Sequence, residues 1–228
     1  HYPAILAHGG YFETVGLSRD DARRAEQYRA NAQRLVTLET IGNYEDYLAS
    51  LEMVCQIAPF DAIGRVRIAQ LINKSNQFNL TTRRYTEAAV ADMEADPGLY
   101  TLQVRLADRF GDNGMISVVI FRKGPEEWLC DTWLMSCRVL KRRVEEAVLA
   151  AVASAARAAG ARRLVGVYLP SPKNGMVAGH FEALGFSKIG DLPEGGTRWA
   201  LELADHVAPD LPMTIRGPDA PAELRAAS

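Results

Sequence analysis

Cysteine is scarce in this chain of 228 residues, and the shortage is informative. Cys55, Cys130 and Cys137 are odd in number and lie in predicted strands without metal-ligand spacing. That pattern argues against a disulfide framework, predicts no metal site, and fits a reducing, cytoplasmic setting. A basic surplus is also missing. The net charge of -2 argues against a general nucleic-acid binder. No apolar run approaches the roughly 18–20 residues that span a bilayer, so no membrane partner is expected. There is no internal repeat and no low-complexity segment. What is there is 48% hydrophobic and 24% charged residues, the balance of an ordinary globular protein. The length buries a sizeable core, in one large domain or a domain with an appendage.

The stretch from Glu127 to Gly160 organises the rest. Trp128, Cys130, Thr132 and Leu134 alternate with Leu129, Asp131, Trp133 and Met135, which predicts a strand buried on both faces. The chain then turns at Arg138 to Arg143 into a long alanine-rich helix. Its stripe is Val144, Ala147, Val148, Ala151 and Ala155, and Gly160 stands at its end. A strand feeding a helix in this way turns backbone N–H groups and the positive end of the helix dipole outward, an arrangement suited to anions.

Residues 1–51 read as a helical appendage or linker. Ser18-Arg19-Asp20-Asp21 has capping-box spacing with Asp for Glu, and a second short helix follows Gly42-Asn43. Residues 52–205 read as the main domain. It opens with a strand from Met53 to Phe60, then a helix capped by Asp61 and running through Ile72. A polar connection leads to Thr86, the predicted cap of a helix that Pro97-Gly98 ends. Tyr100 to Ala107 alternates as a half-buried strand, Gly111 to Gly114 forms a hairpin turn, and Met115 to Phe121 is a buried strand. After the long helix come a strand from Arg163 to Leu169, a helix from Gly175 to Leu184, and strands ending near Leu192 and Leu203. Residues 206–228 read as an irregular tail, rich in proline and glycine from Pro209 onward.

This α/β (α+β) order, a mixed central sheet flanked by helices with an N-terminal helical appendage, is that of the GNAT-like acyltransferase fold. NGMVAGHFEALGF resembles the closing motif of such domains, with Gly185 and Phe186 at its last two positions. NKSNQFNLTTRRYTEA together with DTWLMSCRVL carries a closer resemblance, to the C-terminal GNAT-like region of the FkbH family, over about Ser18 to Leu203. In that family a HAD-type phosphatase domain precedes this region, and the enzymes place a glyceryl unit on an acyl carrier protein for polyketide assembly. The phosphatase motif Asp-x-Asp-x-Thr/Val occurs nowhere in these residues. The resemblance therefore implies the family's C-terminal part, with His1 to Leu17 as the trailing end of a preceding domain, or a relative that lost the phosphatase half.

The implied ligand is acyl-CoA or the phosphopantetheine of an acyl carrier protein, with a small-molecule acyl donor and a homodimer left open. Arg138, Val139, Lys141, Arg142 and Arg143 occupy the pyrophosphate motif Q/R-x-x-G-x-G/A. Lys141 and Arg143 stand where glycines would let the backbone close on phosphate. Either side-chain cations replace part of that cradle or the cradle is obstructed. Asn174 matches the late motif's amide and is assigned to the pantetheine or the adjoining loop. Asp131 is read as a base for an amine, or as a carboxylate bonded to an arginine or the backbone. Cys137, expected just before the helix N-terminus, is read as an acyl-transfer nucleophile or a structural cysteine. Phe181 replaces the tyrosine that would protonate a leaving thiolate, so either another donor such as Ser136 or Tyr168 serves or the domain does not run that reaction. Asn76, Gln77, Asn79, Thr82, Arg83 and Arg84 are assigned to a glyceryl, phosphate or carrier-protein contact, or to caps and turns. Two rival functions stand beside FkbH-type transfer: a plain acetyl-CoA-dependent N-acetyltransferase and a non-catalytic docking domain for a carrier protein.

Overall fold

The computed structural model describes residues 19–217. The described residues divide into two compact units, the first ending at Tyr47 and the second beginning at Leu48. In the first, α1 spans Arg19–Ile41 and α2 begins at Tyr44, continuing to Ser50. The expected capping residue Ser18 and the segment His1–Leu17 lie outside the described residues.

The second unit is built on an eight-stranded mixed sheet. Its strands are β1 (Met53–Ala58), β2 (Leu99–Asp108), β3 (Gly111–Arg122), β4 (Glu127–Met135), β5 (Arg163–Tyr168), β6 (Ser187–Asp191), β7 (Thr197–Glu202) and β8 (Met213–Arg216). They lie in the order β6-β7-β5-β4-β3-β2-β1-β8. Strands β1 to β4 form an antiparallel meander, because the turns between β2, β3 and β4 are too short for a crossover. The step from β4 to β5 is parallel and is made through the long helix α5 (Val144–Ala158).

Helices α3 (Arg65–Lys74) and α4 (Glu87–Ala95) bury Ile68, Leu71, Ile72 and Val90 against Val118, Ile120 and Leu134. Val119, Phe121 and Trp133 point to the alternate face and are also fully buried, so this part of the sheet is covered on both sides. Helix α5 presents Val144, Ala147, Val148 and Val152 at helical spacing to the core and contacts β1 and β5. Gly160 ends it at φ +85°, in the left-handed region that glycine enters without cost. Thr86 caps α4 as expected, its hydroxyl accepting from the Ala89 N–H at 3.1 Å.

Several boundaries move. Asp61 does not begin a helix; its carboxylate accepts from Gly64 N–H at 2.6 Å and makes the turn that precedes α3. The segment from Gly175 to Leu184 splits into a 3-10 turn, Gly175–Val177, and the short helix α6, His180–Ala183. Within the predicted irregular tail, Met213–Arg216 pairs parallel to β1 as β8. The outer edge of β1 offers unpaired N–H and C=O groups, and β8 satisfies them. Cys137 is not in a strand but in a 3-10 turn, Cys137–Val139, and its side chain is exposed. Helix α5 starts seven residues beyond it, so the helix dipole expected beside this thiol is not there.

Candidate active site

Strands β4 and β5 pair over three residues only, Glu127–Leu129 with Arg163–Val165. Beyond that they part, and the gap is filled by the chain's own residues 78–80. Leu80 N–H donates to Trp133 C=O at 3.1 Å, and Met135 N–H donates to Phe78 C=O at 3.1 Å. On the other side Leu169 N–H donates to Leu80 C=O at 2.9 Å. An extended arm bearing amides could have paired with this edge of β4. The protein has used the edge itself.

The segment is held by two buried amides. Asn174 Nδ2 donates to Asn79 C=O and Leu169 C=O, both at 2.9 Å, while its Oδ1 accepts from Ser171 N–H at 2.7 Å. Tyr168 O–H, at 3.4 Å, completes the shell. Asn79 Oδ1 accepts from Thr82 N–H at 2.8 Å and Thr81 N–H at 3.4 Å. That holds Thr82 at φ 53°, where a β-branched residue costs about 1–3 kcal/mol. The structure therefore places Asn79 and Asn174 in a clamp between strands.

Asp131 lies under the next stretch. Its Oδ1 accepts from Arg83 Nη1 and from Arg122 Nε and Nη2, at 3.1 and 3.0 Å. Its Oδ2 accepts from Tyr85 O–H at 2.6 Å and Thr132 O–H at 3.1 Å. The carboxylate is buried, and both of its oxygens are taken up by donors of the chain itself. Burial first, and then the bond to Asp131, raises the Tyr85 phenol above its ordinary range. Arg84 turns inward to Ile72 C=O, Ser75 C=O and Asn76 Oδ1. The half of the motif from Asn79 to Tyr85 is thus occupied in wiring the loop to the sheet.

The other half lines a cleft of about 650 Å³, within the size range of small-molecule sites. Lys74, Asn76, Gln77 and Phe78 form one wall, Ser136 and Cys137 another, and Lys173 a third. No carboxylate lines it. Burial pushes the Cys55 thiol up to about 12 and raises Cys130 further still, which makes both inert. Cys137 is the exposed cysteine.

The cationic corner looks elsewhere. Arg138 donates to Ser136 Oγ at 3.1 Å and Asn113 C=O at 3.4 Å. Arg142 is buried against Asp108 at 2.8 Å, and Arg143 makes a two-bond pair with Glu146. Val139 is in the core. Lys141 and Arg143 nonetheless adopt φ 66° and 63°, the left-handed backbone that glycine would favour at the two motif positions. The turn is retained while its arginine side chains are engaged by neighbours. Phe181 is also committed, packed against Gly166 so closely that a Cβ there would meet its ring at 2.4 Å.

Sequence reasoning did not single out Lys74 or Lys173. Lys173 follows a proline-bounded strand end with no local signal, and only the chain's return through Ser171–Asn174 brings it to the cleft. His180, the one histidine in an element expected to be core, is a packing residue and not a ligand. It packs edge-on to Trp133, Phe78 and Phe181, and burial holds its imidazole down to about 4.

Comparison with solved structures accords with this architecture. The chain is similar to the GNAT domain of S. lividans PAT, at 16% identity over 64% of this chain and 89% of that one, TM-score 0.50. It is similar to a domain from Methanocaldococcus jannaschii at 9% identity, 65% and 97% coverage, TM-score 0.51. A putative GNAT-family acetyltransferase from Desulfovibrio desulfuricans gives 14% identity, 65% and 99% coverage, TM-score 0.50. The fold is that of the GNAT acyltransferases. No protein-family profile matches the chain, and no curated protein does. Among the described residues no helix is long and apolar enough to cross a membrane, and no group of three His, Cys, Asp or Glu is placed to hold a metal.

Proposed function

We propose that this domain is an acyltransferase acting on a phosphopantetheine-linked thioester, with Cys137 carrying the acyl group. The FkbH resemblance makes that group a glyceryl unit and the thiol partner an acyl carrier protein. One observation supports the reading most: the exposed thiol of Cys137 stands in the wall of a cleft lined by two lysines and no carboxylate. Asp131 is held by four side-chain partners, so a thiol is a better placed nucleophile than a carboxylate-assisted amine.

The chemistry is thioester exchange. Cys137 Sγ attacks the thioester carbonyl, the donor C–S bond breaks, and the proton lost by Cys137 ends on the departing thiol. A second thiol reverses the step and carries the acyl group away. Lys74 and Lys173 are positioned for the anionic end of the donor, where an ammonium acts as a point charge for phosphate. The amides of Asn76 and Gln77 suit a hydroxylated acyl group. Incubation with a glyceryl thioester of N-acetylcysteamine, followed by intact-mass spectrometry, should show one added acyl group that hydroxylamine removes. Cys137→Ser should abolish it without altering thermal stability. Absence of any adduct on the wild-type chain refutes the proposal.

A second reading, a non-catalytic docking domain, is favoured by the engaged arginines at the corner before α5. It predicts carrier-protein binding with no adduct and no effect of Cys137→Ser.

A further inference from the structure

One face of the sheet carries four arginines around two carboxylates. Arg122 is paired with Leu129, Leu129 with Val165, and Glu127 with Arg163. Arg163 is paired with Glu202, and Val167 with Arg198. Paired residues, and residues two apart along a strand, share a face, so these side chains rise from one surface. Asp131 joins them beside an irregularity in the β3–β4 pairing.

Each carboxylate is shared. Asp131 accepts from Arg83 and Arg122, and Glu127 accepts from Arg163 at 2.9 and 2.7 Å and from Arg198 at 3.2 Å. All four guanidinium side chains remain 41–55% exposed, and Arg198 Nε is buried with no hydrogen-bond partner. Counting the exposed Glu202 as well, four arginines stand against three carboxylates, so the face keeps a positive charge in a chain whose net charge is -2. Held by their carboxylates, the guanidiniums lose little freedom on meeting a further anion. Between the two clusters Leu129 is half-buried and Val165 fully buried, so the surface there is made by the arginine side chains.

We infer that this face docks an acidic stretch of a partner protein. The two carboxylates are four residues apart on β4, about 13 Å at 3.3 Å per residue. A single phosphate or carboxylate cannot bridge both arginine pairs, whereas a segment with several carboxylates can. Charge complementarity of this kind sets encounter rate and register. The inference does not depend on the role of Cys137; under the proposed function the partner is the protein that carries the thioester.

The test is fluorescence anisotropy with a labelled helical peptide bearing glutamate at every fourth position, beside its glutamine counterpart. The wild-type chain should bind the glutamate peptide alone, with affinity falling as salt rises. Arg163→Glu/Arg198→Glu should weaken binding at least tenfold. Arg198→Gln, which leaves the Arg163–Glu127 pair intact, should weaken it about threefold with an unchanged thermal midpoint, and decides the matter if the double variant does not fold. No binding by the wild type, equal binding of the glutamine peptide, indifference to Arg198→Gln, or full displacement by millimolar inorganic phosphate would each overturn the inference. Acylation of Cys137 by the small N-acetylcysteamine thioester, measured on Arg198→Gln, should be unaffected. Its failure on the wild type would count against the proposed transfer and leave the docking result standing.

Discussion

Asn174→Ala separates a clamp from a ligand contact. The side chain is fully buried and makes three short hydrogen bonds, at 2.7, 2.9 and 2.9 Å, with a fourth from Tyr168 at 3.4 Å. At about 1 kcal/mol net for each of the three, alanine should cost about 3 kcal/mol, and more where Asn79 C=O and Leu169 C=O stay dry and unpaired. For a chain of this size that is a fall in thermal midpoint of about 6–12 °C, at about 2–4 °C per kcal/mol. Asn174→Asp should be no better, because it keeps the acceptor for Ser171 N–H but loses both donors. Urea titration measures the free energy. Hydrogen exchange locates it, and the Leu80 and Leu169 amides, which hold residues 78–80 between β4 and β5, should lose protection first. If Asn174→Ala costs under 1 kcal/mol and instead weakens binding of a coenzyme A thioester, the clamp argument is wrong and the residue is a ligand contact.

The remaining expectations can be checked with the same melts. Burial lowers the His180 pKa from 6.5 to about 4, so the unfolded chain holds the proton more tightly. The neutral ring's contribution is complete above about pH 6.5 and is lost as pH falls toward 4, a change of about 3 kcal/mol. His180→Phe keeps the edge-on aromatic contacts, and its stability should vary less than the wild type's between pH 7.5 and 4.5. Gly166→Ala should cost about 1–3 kcal/mol, because a Cβ would stand 2.4 to 2.6 Å from the Phe181 ring; Phe181→Leu in the same chain should recover part of it. Asp131→Asn should cost about 1–2 kcal/mol, less than for a fully buried pair, because Arg83 and Arg122 are 43% and 55% exposed and water can take them up. The same change should bring the Tyr85 phenol back toward its ordinary range in an ultraviolet titration, since its bond to Asp131 is among the causes that raise it.

Much of the fold was legible because its signals are local. The two-sided burial of β4, the start of the apolar face of α5, the Thr86 cap and the left-handed Gly160 each depend on residues within a few positions of one another, although that face continues through Val152 and Ala156 and not through the expected Ala151 and Ala155. Strand β8 was not legible: Met213–Arg216 carries little pattern of its own and forms because the β1 edge needs partners. The candidate site was half legible. NKSNQFNLTTRR stood out as a polar run, but its residue types do not reveal that Lys74 to Phe78 face a cleft while Asn79 to Tyr85 bond the sheet.

By itself, then, the sequence determined the strand–turn–helix from Glu127 to Gly160, the meander before it and the polar loop between α3 and α4, since periodicity and turn chemistry act over short separations. Only the tertiary structure decided what the polar side chains do. Asp131 meets Arg83 across 48 positions and Asn174 meets Asn79 across 95. Which donors surround a buried carboxylate or carbonyl is set by how the elements pack, and no local pattern encodes that.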